Sequence, residues 1–150
     1  MRFEIFEANE VDLPEVLTLY SQPSFDNGRV LSEKEALEIF KTFKAYPFYK
    51  LFVMKDTDHD KKIVATYAFL KMNNLGHLGA SSAVIEDVVV APDYQGQGLG
   101  KHMMKHAMNL AKSLDCYKLV LSSNIKRVKA HAFYGALGFE QHGISFKVES

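Results

Sequence analysis

Apolar positions recur along the chain with two different periods, and the switches between them mark the predicted elements. Arg2–Ala8 reads as a short strand. Asp12-Leu13-Pro14-Glu15 then predicts a helix start, with a capping acid, a second acid three residues on and proline in the first turn. Leu13, Val16, Leu17 and Tyr20 follow at helical spacing. Pro23 and Asn27-Gly28 make Gln22–Val30 a loop. Ser32-Glu33-Lys34-Glu35 is a second capping box, followed by Ala36, Ile39, Phe40 and Phe43 on one face, and Pro47 closes that region. Tyr49–Lys55 and Lys62–Met72 are rich in aromatic and β-branched residues around a polar turn, so they predict a hairpin. Asn73–Ser82 reads as a loop. Ser82–Val90 is the strongest strand, with Val84, Ile85, Val88, Val89 and Val90 around Glu86 and Asp87, and Pro92 ends it. Gly98–Leu114 predicts a long helix with Met103, Met104, Ala107, Met108, Leu110 and Ala111 inward. Lys118–Ser122 reads as a short strand, Lys126–Leu137 as a helix ended by Gly138, and Phe139–Val148 as a last strand region. The order β-α-α-β-β-β-α-β-α-β predicts an α/β (α+β) fold on a central sheet.

Composition narrows the picture. At 150 residues, 47% of them hydrophobic, the chain matches one domain (residues 1–150) with enough apolar surface for its own core. Eighteen Lys+Arg balance eighteen Asp+Glu, which disfavours a basic nucleic-acid binder. A single cysteine, Cys116, allows no internal bridge and no multi-cysteine zinc site, and suits a reducing compartment. The start carries an acid where a signal peptide would carry an apolar run, and nothing approaches a membrane span. The expectation is a soluble cytoplasmic domain with no nucleic-acid or membrane partner.

The candidate chemistry lies where the strongest strand runs into Ala91-Pro92-Asp93-Tyr94-Gln95-Gly96-Gln97-Gly98-Leu99-Gly100-Lys101-His102. A glycine-rich turn here opens a helix, whose first N–H groups lack intrahelical acceptors and sit at the positive end of the helix dipole. Glycines admit positive φ and close backbone approach, so the geometry suits a pyrophosphate or another anion. A dinucleotide fingerprint fails because Lys101 stands where its third glycine belongs. A P-loop fails at Gln95 and His102.

Gln95-x-x-Gly98-x-Gly100 instead resembles the acetyl-CoA pyrophosphate loop of the GNAT N-acetyltransferase superfamily, whose pattern is Gln/Arg-x-x-Gly-x-Gly/Ala. Its context agrees: Ile85–Val90 precede it, a long helix follows, and Phe133-Tyr134-Gly135-Ala136-Leu137-Gly138-Phe139 matches the family's Phe-Tyr-x-x-x-Gly-Phe element. Glu86–Val90 and Cys116-Tyr117-Lys118 also look like amino-sugar-phosphate acetyltransferases of this superfamily. The resemblance implies a twisted mixed sheet flanked by about four helices and splayed between strands 4 and 5. It implies acetyl-CoA as cosubstrate, no metal, and direct attack of a primary amine on the thioester. Val88, Val89 and Val90 would bind the pantetheine arm like an added strand, with a backbone N–H near Val88 polarising the thioester carbonyl. Gln95, Gly96, Gln97, Gly98, Leu99, Gly100 and Lys101 would hold the diphosphate. Tyr134 would touch the cosubstrate and protonate the departing thiolate. Asn124 sits where many small-molecule members carry a similar residue, though a helix cap is the stronger reading of it. Glu86, with Asp87 as runner-up, would be the general base; strand alternation points them to opposite faces unless a bulge intervenes. The implied acceptor is a small amine, such as an amino sugar, an aminoglycoside-like compound or a polyamine. A protein or peptide amine and a non-catalytic acyl-CoA-binding module are the alternatives. A homodimer is the family default.

Other signals have simpler readings. His102 and His106, four apart, could share a metal, but a solvated helix face is the better account. Asp56-x-Asp58-x-Asp60 begins like a calcium loop but puts Lys61 where glycine is needed and Tyr67 where glutamate is needed. Cys116 reads as a small strand-edge residue, and His77 and His142 as loop and turn positions.

Overall fold

Residues Ile63–Phe69 show no alternation, and the reason is that both faces of their strand are covered. The computed structural model, which describes residues 2–123 and 125–150, buries all seven of them. Among the described residues the elements are β1 (Phe3–Glu7), α1 (Leu13–Tyr20), α2 (Glu33–Thr42), β2 (Tyr49–Asp56), β3 (Lys62–Met72), β4 (Ser81–Val90), α3 (Leu99–Ser113), β5 (Cys116–Leu121) and α4 (Val128–Ala136). The sheet order is β1-β2-β3-β4-β5, and β1 to β4 pair antiparallel. The α3 crossover then brings β5 back parallel to β4, which makes the sheet mixed. The α/β architecture with four helices is the expected one. The chain has two compact units, one ending at Val120 and one running Leu121–Ser150.

In the first unit α1 packs on β3 and β4, and α3 packs on β3, β4 and β1. Leu13, Val16 and Leu19 of α1 join Leu51, Val53, Ile63, Ala68 and Val89 in one cluster. Each Leu, Val or Ile among them contributes roughly 1.5–3 kcal/mol by leaving water. Met103, Met104, Ala107 and Ala111 are the buried stripe of α3. Met108, expected inward, is exposed, because it falls at the margin of that stripe.

The second capping box forms as read. The Ser32 side chain accepts from Glu35 N at 3.1 Å, and Glu35 Oε1 accepts from Ser32 N at 3.1 Å. The first does not. Asp12 reaches back to accept from Asn9 N at 2.8 Å and pairs with Lys55 at 3.1 Å. Glu15 accepts from Ile63 N at 2.9 Å, where a register shift after Met54 takes that donor out of the ladder. A buried N–H needs a partner, and a strand bulge outcompetes the exposed helix end for the carboxylate.

The strand expected over Phe139–Val148 does not form. Ile144, Phe146 and Val148 keep a period of two yet are 82%, 92% and 92% exposed. Alternation supplies a face, but a strand also needs a neighbouring strand for its N–H and C=O groups, and residues 139–150 adopt no ladder.

Candidate active site

The site begins with a flaw in the β3–β4 ladder. Thr66 stands opposite Val89 and Ala68 opposite Glu86, so Asp87 and Val88 together face Tyr67. Two residues against one is a bulge. Asp87 takes it up with φ 54°, a left-handed conformation that aspartate tolerates better than most residues. The bulge resets the alternation: Glu86 and Asp87 are both exposed, while Ile85 and Val89 on either side are buried. The bulge and the parallel β4–β5 pairing together are consistent with the expected splay of these two strands.

Past Val90 the chain makes a 3-10 turn over Pro92–Tyr94 and enters the glycine turn. Two side-chain amides close on the Val90 carbonyl: Gln95 Nε2 donates at 3.3 Å and Gln22 Nε2 at 3.4 Å. The Gln95 side chain thus holds the strand end, and the second amide ties the loop after α1 to it. Gly96 and Gly98 have φ of 80° and 81°, and Gly98 is the N-cap of α3. A Cβ built on either would meet no protein atom within 4 Å. Glycine is therefore demanded here by backbone conformation, with open space in front of it. His102 N makes the first helical bond, to Gly98 O at 3.1 Å, so the amides of Leu99, Gly100 and Lys101 precede the intrahelical ladder, and no side chain caps them. The Leu99 side chain is buried at 3% exposure, which pins the start of the helix. An uncapped, dipole-positive helix start behind a glycine cradle fits a diphosphate.

The acids of the bulge lie among aromatic side chains. Tyr20 stacks on Phe25 with centroids 5.1 Å apart, and Tyr49 stacks on Phe43 at 4.0 Å with Tyr46 edge-on at 5.1 Å. Asp26 N donates to Tyr20 O at 2.9 Å, which folds the loop after α1 back along that helix end. Although Asp87 reaches solvent, the protein around it strips part of its hydration, and with the Asp26 carboxylate this holds its carboxyl above the usual carboxylate range. Burial also raises the phenols of Tyr20 and Tyr49, with the Asp87 charge adding to both.

In the unit Leu121–Ser150, Tyr134 lies near the end of α4. Phe139 N donates to Tyr134 O at 3.0 Å and Gly138 N to Gly135 O at 3.0 Å, with Gly138 at φ 100°. That is a Schellman cap, completed by the Tyr134–Phe139 ring contact at 5.9 Å. The Gly-Phe pair therefore ends the helix and packs against Tyr134. Burial pushes the Tyr134 phenol up, and Arg127 opposes it. Asn124 lies outside the described residues.

His106 departs from the solvated-face reading. It is partly buried, its Nδ1 lies 2.7 Å from Tyr67 Oη, and its ring meets Phe52 edge-on at 4.9 Å. Burial, with His102 adding, lowers its proton affinity, so its neutral ring can accept a hydrogen bond from the phenol O–H. Nothing local in the sequence marks this pair, because Tyr67 is 39 residues away. Cys116 is a free thiol raised by burial, in keeping with an inert strand-edge residue. His77 packs on the Tyr117 ring at 4.9 Å. Among the described residues no group of three or more metal-ligating side chains gathers, and no helix is long and apolar enough to cross a membrane.

A mixed sheet whose bulged fourth strand feeds a glycine cradle and a long helix defines the acetyltransferase class of fold. The chain belongs to the Acetyltransferase (GNAT) family, whose sequence model matches residues 13–139. Glucosamine 6-phosphate N-acetyltransferase of Trypanosoma brucei brucei is 36% identical over 81 residues, covering 54% of this chain and 53% of that protein. The chain thus spans about half the length of that relative. The enzyme of the same name from Schizosaccharomyces pombe is 32% identical over 99 residues, 66% of this chain and 86% of that one. A crystal structure of a Trypanosoma brucei acetyltransferase superposes over 99% of both chains with a TM-score of 0.86 at 27% identity.

Proposed function

We propose that the chain is an N-acetyltransferase that moves the acetyl group of acetyl-CoA to the primary amine of a small molecule, by direct attack in a ternary complex. The observation that carries this reading is the Gln95–Gly100 turn: two positive-φ glycines with open space before them, leading into uncapped helix amides. Backbone groups of Gln95 to Lys101 hold the diphosphate, and Val88 to Val90 offer main-chain bonds to the pantetheine arm. Acetyl-CoA supplies an activated thioester. The Val88 N–H, in the bulge, stabilises charge on the carbonyl oxygen. Asp87 takes the amine proton as the new C–N bond forms, a role its raised proton affinity supports, with Glu86 as the alternative base. Tyr134 gives a proton to the sulfur as the C–S bond breaks, a role supported by its place in Phe133–Phe139. The names of the Trypanosoma and Schizosaccharomyces relatives make an amino-sugar phosphate the first acceptor to try.

Free-thiol release from acetyl-CoA against glucosamine 6-phosphate, glucosamine, an aminoglycoside, a polyamine and an N-terminal peptide tests the reading. Release with a small amine and not with the peptide is the expected result. Release with the peptide alone overturns the acceptor class. CoA binding with no release from any amine overturns the enzyme reading in favour of an acyl-CoA-binding module.

A further inference from the structure

Five polar contacts converge on the carboxylate of Asp56, the last residue of β2, whose side chain is fully buried. Oδ1 accepts from Arg2 Nε at 3.0 Å and from Asp58 N at 3.1 Å. Oδ2 accepts from Arg2 Nη2 at 3.0 Å and from Tyr94 Oη at 2.9 Å, and lies 2.9 Å from His59 Nδ1. Arg2, Asp58 and His59 would suffice to close the β2–β3 turn onto the strand that starts at Phe3. Tyr94 has no part in that turn. It arrives from 38 residues downstream and is the residue immediately before Gln95.

We propose that Asp56, acting through Tyr94, is a positioning residue for the diphosphate-binding turn Gln95–Gly100. The inference rests on the acetyl-CoA reading given under Proposed function. The turn holds two positive-φ glycines, so its own backbone restrains it little. Its course is set by its ends. Leu99, buried, fixes the far end. Tyr94 fixes the near end: its hydroxyl is bound to a buried anion, its ring meets Phe3 edge-on at 6.1 Å, and Lys62 Nζ lies 5.8 Å from the ring centre. A hydrogen bond to a charged acceptor is stronger than one between neutral groups, so a single hydroxyl makes a firm anchor. Holding the amides in place before the ligand arrives lowers the ordering cost of binding.

Tyr94→Phe removes that hydroxyl and keeps the ring. The test combines calorimetric titration with CoA, steady-state kinetics and amide hydrogen exchange on wild type and variant. CoA affinity should fall about tenfold, the size expected for one hydrogen bond to a charged group. The KM for acetyl-CoA should rise with it, while kcat at saturation and the acceptor KM stay within about twofold. Exchange at 95–100 should quicken in the free protein while the middle of α3 stays protected. Phe3→Leu loosens the same ring and keeps Asp56, Arg2 and the Tyr94 hydroxyl, although it also removes the ring under the Arg2 guanidinium; it carries the same expectation at smaller size if Tyr94→Phe fails to fold. Equal CoA affinity in wild type and variant overturns the proposal and leaves Tyr94 a stabilising contact. Weaker CoA binding with unchanged exchange at 95–100 overturns it too, since the effect then lies outside the turn. Wild type that binds no CoA overturns the acetyl-CoA reading itself, and this inference with it.

Discussion

Asp87 and Glu86 are neighbours of the same chemical type, and only Asp87 takes the positive-φ position of the bulge. Asp87 sits in the left-handed position of the bulge, near Asp26, and its carboxyl holds its proton to higher pH than usual. A base works only when ionised, so a raised value moves the acid limb of kcat/KM upward, to above the ordinary carboxylate value of roughly 4. Asp87→Asn should abolish that limb and lower kcat/KM by about 10²-fold or more. Glu86→Gln should keep the limb. The rise that belongs to the acceptor ammonium losing its proton, near pH 9–10 for an ordinary amine, should survive in both. A pH–rate profile in which Glu86→Gln loses the limb and Asp87→Asn keeps it would reverse the assignment. Tyr134→Phe preserves the ring contacts to Phe133 and Phe139 and removes only the hydroxyl. Its kcat should fall about 10²–10⁴-fold with CoA affinity little changed. Single-turnover rates equal to wild type would return Tyr134 to a packing role.

At the scale of elements, the junction of β4 and α3 concentrates special backbone: Asp87, Gly96 and Gly98 all have positive φ. Gly98→Val puts a β-branched residue at φ 81°, which costs folding roughly 1–2 kcal/mol and more for branching. Its side chain would also project into the open space before the helix. Calorimetry should show CoA affinity down by at least about tenfold, with the helix signal of the folded variant unchanged. Equal affinity in a folded variant would remove the turn from the binding site. The two capping boxes teach a related lesson. Ser32 and Glu35 serve their own helix, each side chain bound to the other's backbone N–H. Asp12 and Glu15 carry a similar signature and are drawn away, to Asn9, Lys55 and Ile63.

For the whole molecule, Asp56 links the first strand, the β2–β3 turn and the approach to α3. Arg2, with Tyr94 and the Asp58 amide, holds its carboxyl far below the usual carboxylate range. A depressed folded value contributes stability that is fully present above the unfolded value of roughly 4 and is lost as pH falls toward the folded one. Thermal unfolding measured from pH 7 down to pH 3 should therefore show a falling acid limb that Asp56→Asn shallows, with a lower midpoint at pH 7. An acid limb of equal slope in both proteins would place the acid sensitivity in other carboxylates.

The sequence by itself determined whatever depends on neighbours a few residues away. Helical spacing, capping chemistry and turn glycines located the four α-helices seen among the described residues, because their hydrogen bonds close within one turn. The motif Gln95–Gly100 was legible because positive φ and an uncapped helix start are local demands. Gly138-Phe139 likewise marks a helix end that any chain could carry. The tertiary structure decided what depends on partners far along the chain. It placed the bulge opposite Tyr67, and it raised the Asp87 proton affinity through desolvation with the Asp26 charge added. It paired His106 with Tyr67 and Asp56 with Tyr94, across 39 and 38 residues. It also left the alternating residues Ile144, Phe146 and Val148 without a ladder. Periodicity specifies which face of a segment is apolar, but a strand, a bulge or a shifted pKa exists only when a second segment arrives to supply the hydrogen bond, the missing register or the charge.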